Sequence, residues 1–156
     1  IDGQFPDVTR VIPTADRFTH STDMDPADVI AAAGRLGAVS YSRSREVTLS
    51  SDARGILTLT ATSDAGEAAE RLLGSAAPVR KDAAARFVAG FNARYLTDMA
   101  RFAIKQGAPL RLQVTMDSEQ VTSPMAAFFE NAGAVVMPLR VSPDQAAASD
   151  CLAALR

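Results

Sequence analysis

Over residues 26–39 the apolar positions Val29, Ile30, Ala33 and Leu36 return every three or four residues, the spacing of one helical face. Asp25 stands just before them, where a side-chain oxygen can cap free helical amides. Pro26 takes the first helical position, where its missing N–H costs nothing. Gly34 and Gly37 weaken this helix by roughly 1 kcal/mol each against Ala. On either side the period shortens towards two. Residues 17–22 alternate weakly and predict a strand; residues 45–50 and 55–62 predict two more. The stretch Ser51-Asp52-Ala53-Arg54-Gly55 between the last two has the residues of a hairpin turn.

A second cycle starts near Arg86. Residues 87–91 form a short apolar strand pattern. Asn92 can cap a helix from Ala93 to about Gln106, and Gly107 can end it. Residues 110–116 alternate as a strand, 117–120 read as a turn, 120–123 as a short strand and 134–139 as the last. The two caps, at 25 and 92, lie 67 positions apart, so strand, helix and antiparallel strands occur twice, an internal repeat of two copies. Residues 66–73 (GEAAERLL) favour helix by propensity, but the repeat demands a strand, and the repeat is the stronger guide because context overrides propensity. The expected fold class is α+β: a duplicated β-α-β-β-β unit with two helices packed on one side of antiparallel sheets. Residues 145–156 are alanine-rich and can form a short helix with Ala148, Leu152 and Leu155 on one side. So short a helix must dock or fray.

Composition narrows the chemistry. The 156 residues are 47% hydrophobic, enough for a core. A net charge of −2 is not that of a basic nucleic-acid binder, although a mildly acidic chain can still carry one basic face. No apolar run reaches the ~20 residues that span a bilayer, and no signal peptide is visible. Cys151 is the only cysteine, which forbids an intrachain disulfide and makes the cytoplasm the simplest location. His20 is the only histidine, so a histidine-cluster metal site is excluded and one candidate general base remains. Its neighbour Ser21 would face the other side of a strand, and no G-x-S-x-G motif is present. Asp16, Asp23 and Asp25 lack a glycine-bearing calcium loop, and Asp25 is better read as a cap.

Two proline-punctuated apolar stretches stand at opposite ends: Gly3-Gln4-Phe5-Pro6-Asp7-Val8-Thr9-Arg10-Val11-Ile12-Pro13 and Ala134-Val135-Val136-Met137-Pro138-Leu139-Arg140-Val141. With the duplicated unit, and with Gly90-Phe91-Asn92 followed by Tyr95 and Leu96, they resemble the third domain of the bacterial sliding clamp, the beta subunit of DNA polymerase III, and the linker entering it. The resemblance covers roughly residues 3–141. It implies residues 1–16 as linker, 17–141 as the clamp's third domain and 142–156 as a C-terminal extension. The start at Ile1, inside a motif, reads as a piece of a longer chain.

The resemblance further implies a non-catalytic subunit without cofactor or metal. Chains of three such domains close head to tail as a homodimeric ring around duplex DNA, helices lining the hole. Replicative and repair polymerases and the clamp loader insert short linear motifs rich in Gln, Leu and Phe into a groove. Here the groove residues would be Pro6, Arg10, Val11, Asn92, Tyr95, Val121, Ser123, Val135, Val136, Met137, Pro138, Leu139 and Arg140. Ser44 stands at its edge, where the family often has a larger apolar residue. An apolar anchor needs a desolvated wall, which the valines, Met137 and Leu139 supply, and methionine adapts to several partners. Alternation means that one of Val135 and Val136 faces inward regardless. The DNA-facing residues would be Arg35, Arg94, Arg101 and Lys105. The last three recur with Thr97 at spacings of three and four, opposite Tyr95, Met99, Phe102 and Ala103, and suit loose phosphate contact; a solvated helix face has the same pattern. Arg43, Arg45, Arg80 and Lys81 read as solvated. The dimer seam would include Ala38 and Val39, smaller than the family's usual seam residues. The extension either folds over the groove or trails from its rim. A second reading is a divergent clamp relative that binds partners without encircling DNA.

Overall fold

The structure, a computed structural model, describes residues 11–40, 45–116, 121, 123–130 and 132–142. A short 3-10 turn at Ala15–Arg17 precedes β1 (His20–Met24), α1 (Pro26–Val39), β2 (Glu46–Ser51), β3 (Leu57–Ser63), β4 (Gly66–Arg71), β5 (Gly74–Pro78), β6 (Val88–Asn92), α2 (Ala93–Lys105), β7 (Gln113–Val114), β8 (Met125–Phe129) and β9 (Ala132–Val136). Pairing is antiparallel throughout, in two sheets of order β5-β1-β7-β8-β9 and β4-β3-β2-β6. Each half therefore lends its first strand to the sheet built from the other half's three. β1 lies against β7 with His20 opposite Val114, and β6 lies against β2 with Phe91 opposite Val47. Among the described residues, β5 is the one strand outside this twofold scheme.

Both helices begin as the sequence predicts. Asp25 Oδ1 accepts from the amides of Ala27 and Asp28 at 2.8 and 3.1 Å, and Asn92 Oδ1 accepts from Arg94 N at 2.9 Å. The helices pack on each other, α1 also covering β2, β3 and β4, and α2 covering β6. One core results, with Val29, Ala33 and Leu36 of α1 meeting Leu49, Leu59, Phe91, Leu96 and Ala100. The glycines of α1 are not equivalent. A Cβ on Gly37 would stand 2.9 Å from Ala93 Cβ, whereas one on Gly34 meets nothing within 4 Å.

Several expectations shift. Residues 17–22 are not a strand from the start: Arg17 closes the 3-10 turn, and β1 begins at His20 and runs to Met24. The pattern at 110–116 holds as an extended run bonded to β1, by Leu112 O to Thr22 N at 2.9 Å and the bridge Met24–Leu110. Regular strand geometry there is confined to Gln113–Val114. Residues 66–71 form the edge strand β4, against their helical propensity, because β3 needs a partner for Thr58 through Ser63. Two strands escaped the sequence reading. β5 (GSAAP) has no alternation, and β8 (MAAFF) has alanines on both faces. The last strand ends at Val136, two residues after the predicted start at 134, and the following segment joins the other sheet. The extension's helix, with Ala148, Cys151, Leu152 and Leu155, falls outside the described residues.

Candidate partner-binding groove

β6 is the outermost strand of its sheet, and its open edge is covered by two distant pieces of chain. Val121 N donates to Val88 O at 3.0 Å, and Leu139 N donates to Gly90 O at 2.9 Å. The second contact needs glycine: a Cβ on Gly90 would lie 2.8 Å from Leu139 O and 3.1 Å from Val141 Cγ2. Residues 137–141 thus leave β9 on one sheet and cross to β6 on the other. Asn92 ends β6 and starts α2, which puts Tyr95 on the first turn of that helix.

The predicted groove residues divide into three sets. Tyr95, Met137, Val11 and Val135 are exposed, at 56%, 59%, 51% and 38%; Arg140 is exposed as well. Asn92, Ser123, Pro138 and Leu139 are half-buried. Val121 and Val136 are buried in the common core, so they back the surface rather than form it. Val11 and Ser123 line one cleft together, whereas Asn92, Val121 and Leu139 gather at β6. Pro6, Arg10 and Ser44 lie outside the described residues. Tyr95 lies on the side of Met99 and Ala103 by its spacing, yet those two are buried and Tyr95, on the first turn of the helix, is exposed. Phe128 was missed with β8. It is half exposed, edge-on to Phe18 at 6.2 Å, and shares a sheet face with Val135 two registers along. The signal was the run 125–129 between Pro124 and Asn131.

The cationic residues on the helices are largely committed. Arg35 Nε donates to Glu70 Oε1 at 2.8 Å, and its Nη2 bonds Oε2 of the same carboxylate. This hydrogen-bonded pair holds Glu70 below its ordinary carboxylate value and raises Arg35. Asp98 sits between two arginines, 4.0 Å from Arg94 Nε and 3.4 Å from Arg101 Nη1, and Lys105 is exposed one turn on. Arg80, expected to be solvated, is exposed and clamped by Asp82 through bonds of 3.0 and 2.6 Å. Ala38 and Val39 are exposed at the end of α1. His20 is buried with Nε2 bonded to Ala84 O, while Ser21 Oγ accepts from Gln113 Nε2 at 3.1 Å, so the adjacent pair does not converge. Asp23 is paired with Arg111 at 2.8 Å. Among the described residues no helix is long and apolar enough to cross a membrane.

Two sheets that exchange their first strands around a pair of helices define a DNA-clamp domain: α+β, with the processivity-factor fold. Many of the solved structures that share it are DNA polymerase III beta sliding clamps. The C. crescentus beta sliding clamp, solved with polyethylene glycol bound to a region proposed to tether the beta-motif, is 30% identical with a TM-score of 0.69. The clamp from Bartonella birtlesii, solved with griselimycin bound, is 27% identical with a TM-score of 0.66. The Thermotoga maritima beta subunit shares the fold at 19% identity and a TM-score of 0.68. Each alignment covers 90% of this chain and 35% of the clamp, so the chain spans the length of one clamp domain. No protein-family model matches the chain, and no curated protein does.

Proposed function

We propose that this chain is the third domain of a sliding clamp, a non-catalytic processivity factor, and that it receives short linear motifs of polymerases and repair proteins beside residues 135–140. The Gly90–Leu139 bridge carries the reading, because it draws the Met137-Pro138-Leu139-Arg140 segment onto β6 next to Asn92 and the exposed Tyr95. An apolar anchor then meets Met137, Val135 and Leu139, while Tyr95 and Arg140 offer donors to the peptide's polar groups. Residues 1–16 act as linker, 17–141 as the domain and 142–156 as an appended tail. Completed by its other domains, the protein forms a cytoplasmic homodimeric ring on duplex DNA, with Ala38 and Val39 at the seam and α2 towards the phosphates. The test is titration of a labelled Gln-Leu-x-Leu-Phe peptide against the chain and against Gly90→Val. The chain binds, and the variant, whose added methyls push residues 137–141 off β6, loses at least tenfold in affinity. Equal affinity for both would refute the groove.

A second reading has one observation behind it. Arg35, Arg94 and Arg101 already face Glu70 and Asp98, which lowers the positive field available to DNA. That favours a partner-binding clamp relative with a weak hold on duplex. Sizing of the intact protein at varied concentration separates the two: a closed dimer supports the ring, a micromolar monomer the relative.

A further inference from the structure

Val11 and Ser123, two of the residues read as groove, line a cleft of about 680 Å³. Its lining combines the apolar Ile12, Pro13 and Met116 with Arg17, at the end of the 3-10 turn, and Arg80, just beyond β5. The two come close because β1 is extended backward: Val79 N donates to Thr19 O at 2.8 Å, which carries the residue after Val79 alongside the turn.

The charges around this cleft are unequally spent. Asp82 holds Arg80 by two bonds and so fixes its guanidinium in place. Asp16 is occupied by a hydrogen bond from the Thr14 side chain, which lowers its carboxyl pKa, with smaller help from Arg17 and Arg80. Arg17 itself makes no side-chain hydrogen bond or ion pair among the described residues. On the cleft wall, Thr115 Oγ1 is buried and likewise without a partner. The cleft is therefore lined by the Arg17 guanidinium, near Asp16, and by that of Arg80, held in place by Asp82, together with aliphatic side chains and with Val11 and Ser123 of the residues read as groove.

Building on the groove reading, we infer that the cleft takes an acidic residue flanking the apolar anchor of the bound peptide, read by Arg17 and Arg80. The occupant is a chain segment rather than a free anion because the walls at Ile12, Pro13 and Met116 match aliphatic and main-chain surface. A guanidinium at a solvent-open rim adds a modest, salt-sensitive preference.

The experiment compares three labelled peptides on the chain: a Gln-Leu-x-Leu-Phe core with Ser-Gly extensions, the same core with Asp-Glu at its amino end, and with Asp-Glu at its carboxyl end. At low salt one acidic peptide binds roughly 3- to 10-fold tighter than the neutral one. The advantage disappears in Arg17→Gln/Arg80→Gln and at half-molar salt, while the core peptide's affinity is unchanged by the substitutions. Equal binding of acidic and neutral peptides, or an advantage that survives in the double variant, overturns this inference and leaves the groove standing. Failure of every peptide to bind overturns both. Arg17→Lys/Arg80→Lys, which keeps charge but loses the planar fork, retains part of the preference if the charge is what is read.

Discussion

His20 is 1% exposed, packed on Phe87 with ring centroids 5.6 Å apart. Its Nε2 lies 2.8 Å from Ala84 O, an acceptor, so Nε2 carries the proton; Nδ1 lies 3.0 Å from Thr19 Oγ1. The side chain thereby ties β1 to the loop before β6. Burial holds its pKa below the ordinary 6.5, and the Ala84 bond only partly opposes this. Between the lowered value and 6.5 the unfolded chain binds more protons than the folded one, so stability rises with pH there. It is fully present above about 6.5 and falls as pH drops through that value towards the depressed one. Urea midpoints measured from pH 7.5 to 5.5 are expected to decline, and His20→Gln to flatten the slope. A wild-type midpoint constant over that range would show that the ring titrates alike in both states. From sequence, His20 stood out because it is the only histidine, and its strand position already separated it from Ser21. Its burial depends on Phe87 and Ala84, more than sixty residues away, which no local pattern records.

At the level of elements, the two glycines of α1 make opposite forecasts. Gly34→Ala gains helix propensity at a position open to solvent and should stabilise by up to about 1 kcal/mol. Gly37→Ala puts a methyl 2.9 Å from Ala93 Cβ, where α1 meets the start of α2, and should destabilise by about 1–3 kcal/mol. Thermal unfolding of both variants checks the sign, and a stabilised Gly37→Ala would mean the helices do not approach so closely. Helix boundaries were readable because caps are local: Asp25-Pro26 and Asn92 each announce a start by their own chemistry. Strands were less so. Periodicity found β2 and β3, a short apolar run found β6, and the repeat rescued β4 from its helical composition. β5 and β8 carry small residues on both faces, so their pairing with β1, and with β7 and β9, had no signature in the chain.

For the whole molecule, charge commitment bears on the hold on DNA that the proposed function requires. Asp98 occupies the middle of the α2 stripe between Arg94 and Arg101. On the proposed reading of a ring around duplex DNA, Asp98→Asn should free both guanidiniums and raise retention on duplex about 2- to 5-fold at 50 mM salt, an effect that fades by 0.3 M. Unchanged retention at low salt would place α2 away from the phosphates. The stripe itself was visible from spacings of three and four, and its exposure agrees. The partners of Arg35 were not: Glu70 is on β4, 35 residues on, and meets Arg35 only when α1 lies across that sheet. The groove residues were similarly named one by one, but their division into buried backing and exposed surface came from the packing of β6 and β9 against the core.

By itself the sequence determined where the helices start, which segments alternate and that the chain repeats one unit, because caps, periods and turns act within a few residues. Only the tertiary structure decided that each half lends its first strand to the other's sheet. It alone brought residues 121 and 139 to the edge of β6, and Arg17 to the cleft it shares with Arg80. Those arrangements join residues tens of positions apart, and their energies come from burial and main-chain pairing, for which many sequences and many registers would serve equally well until the whole chain packs.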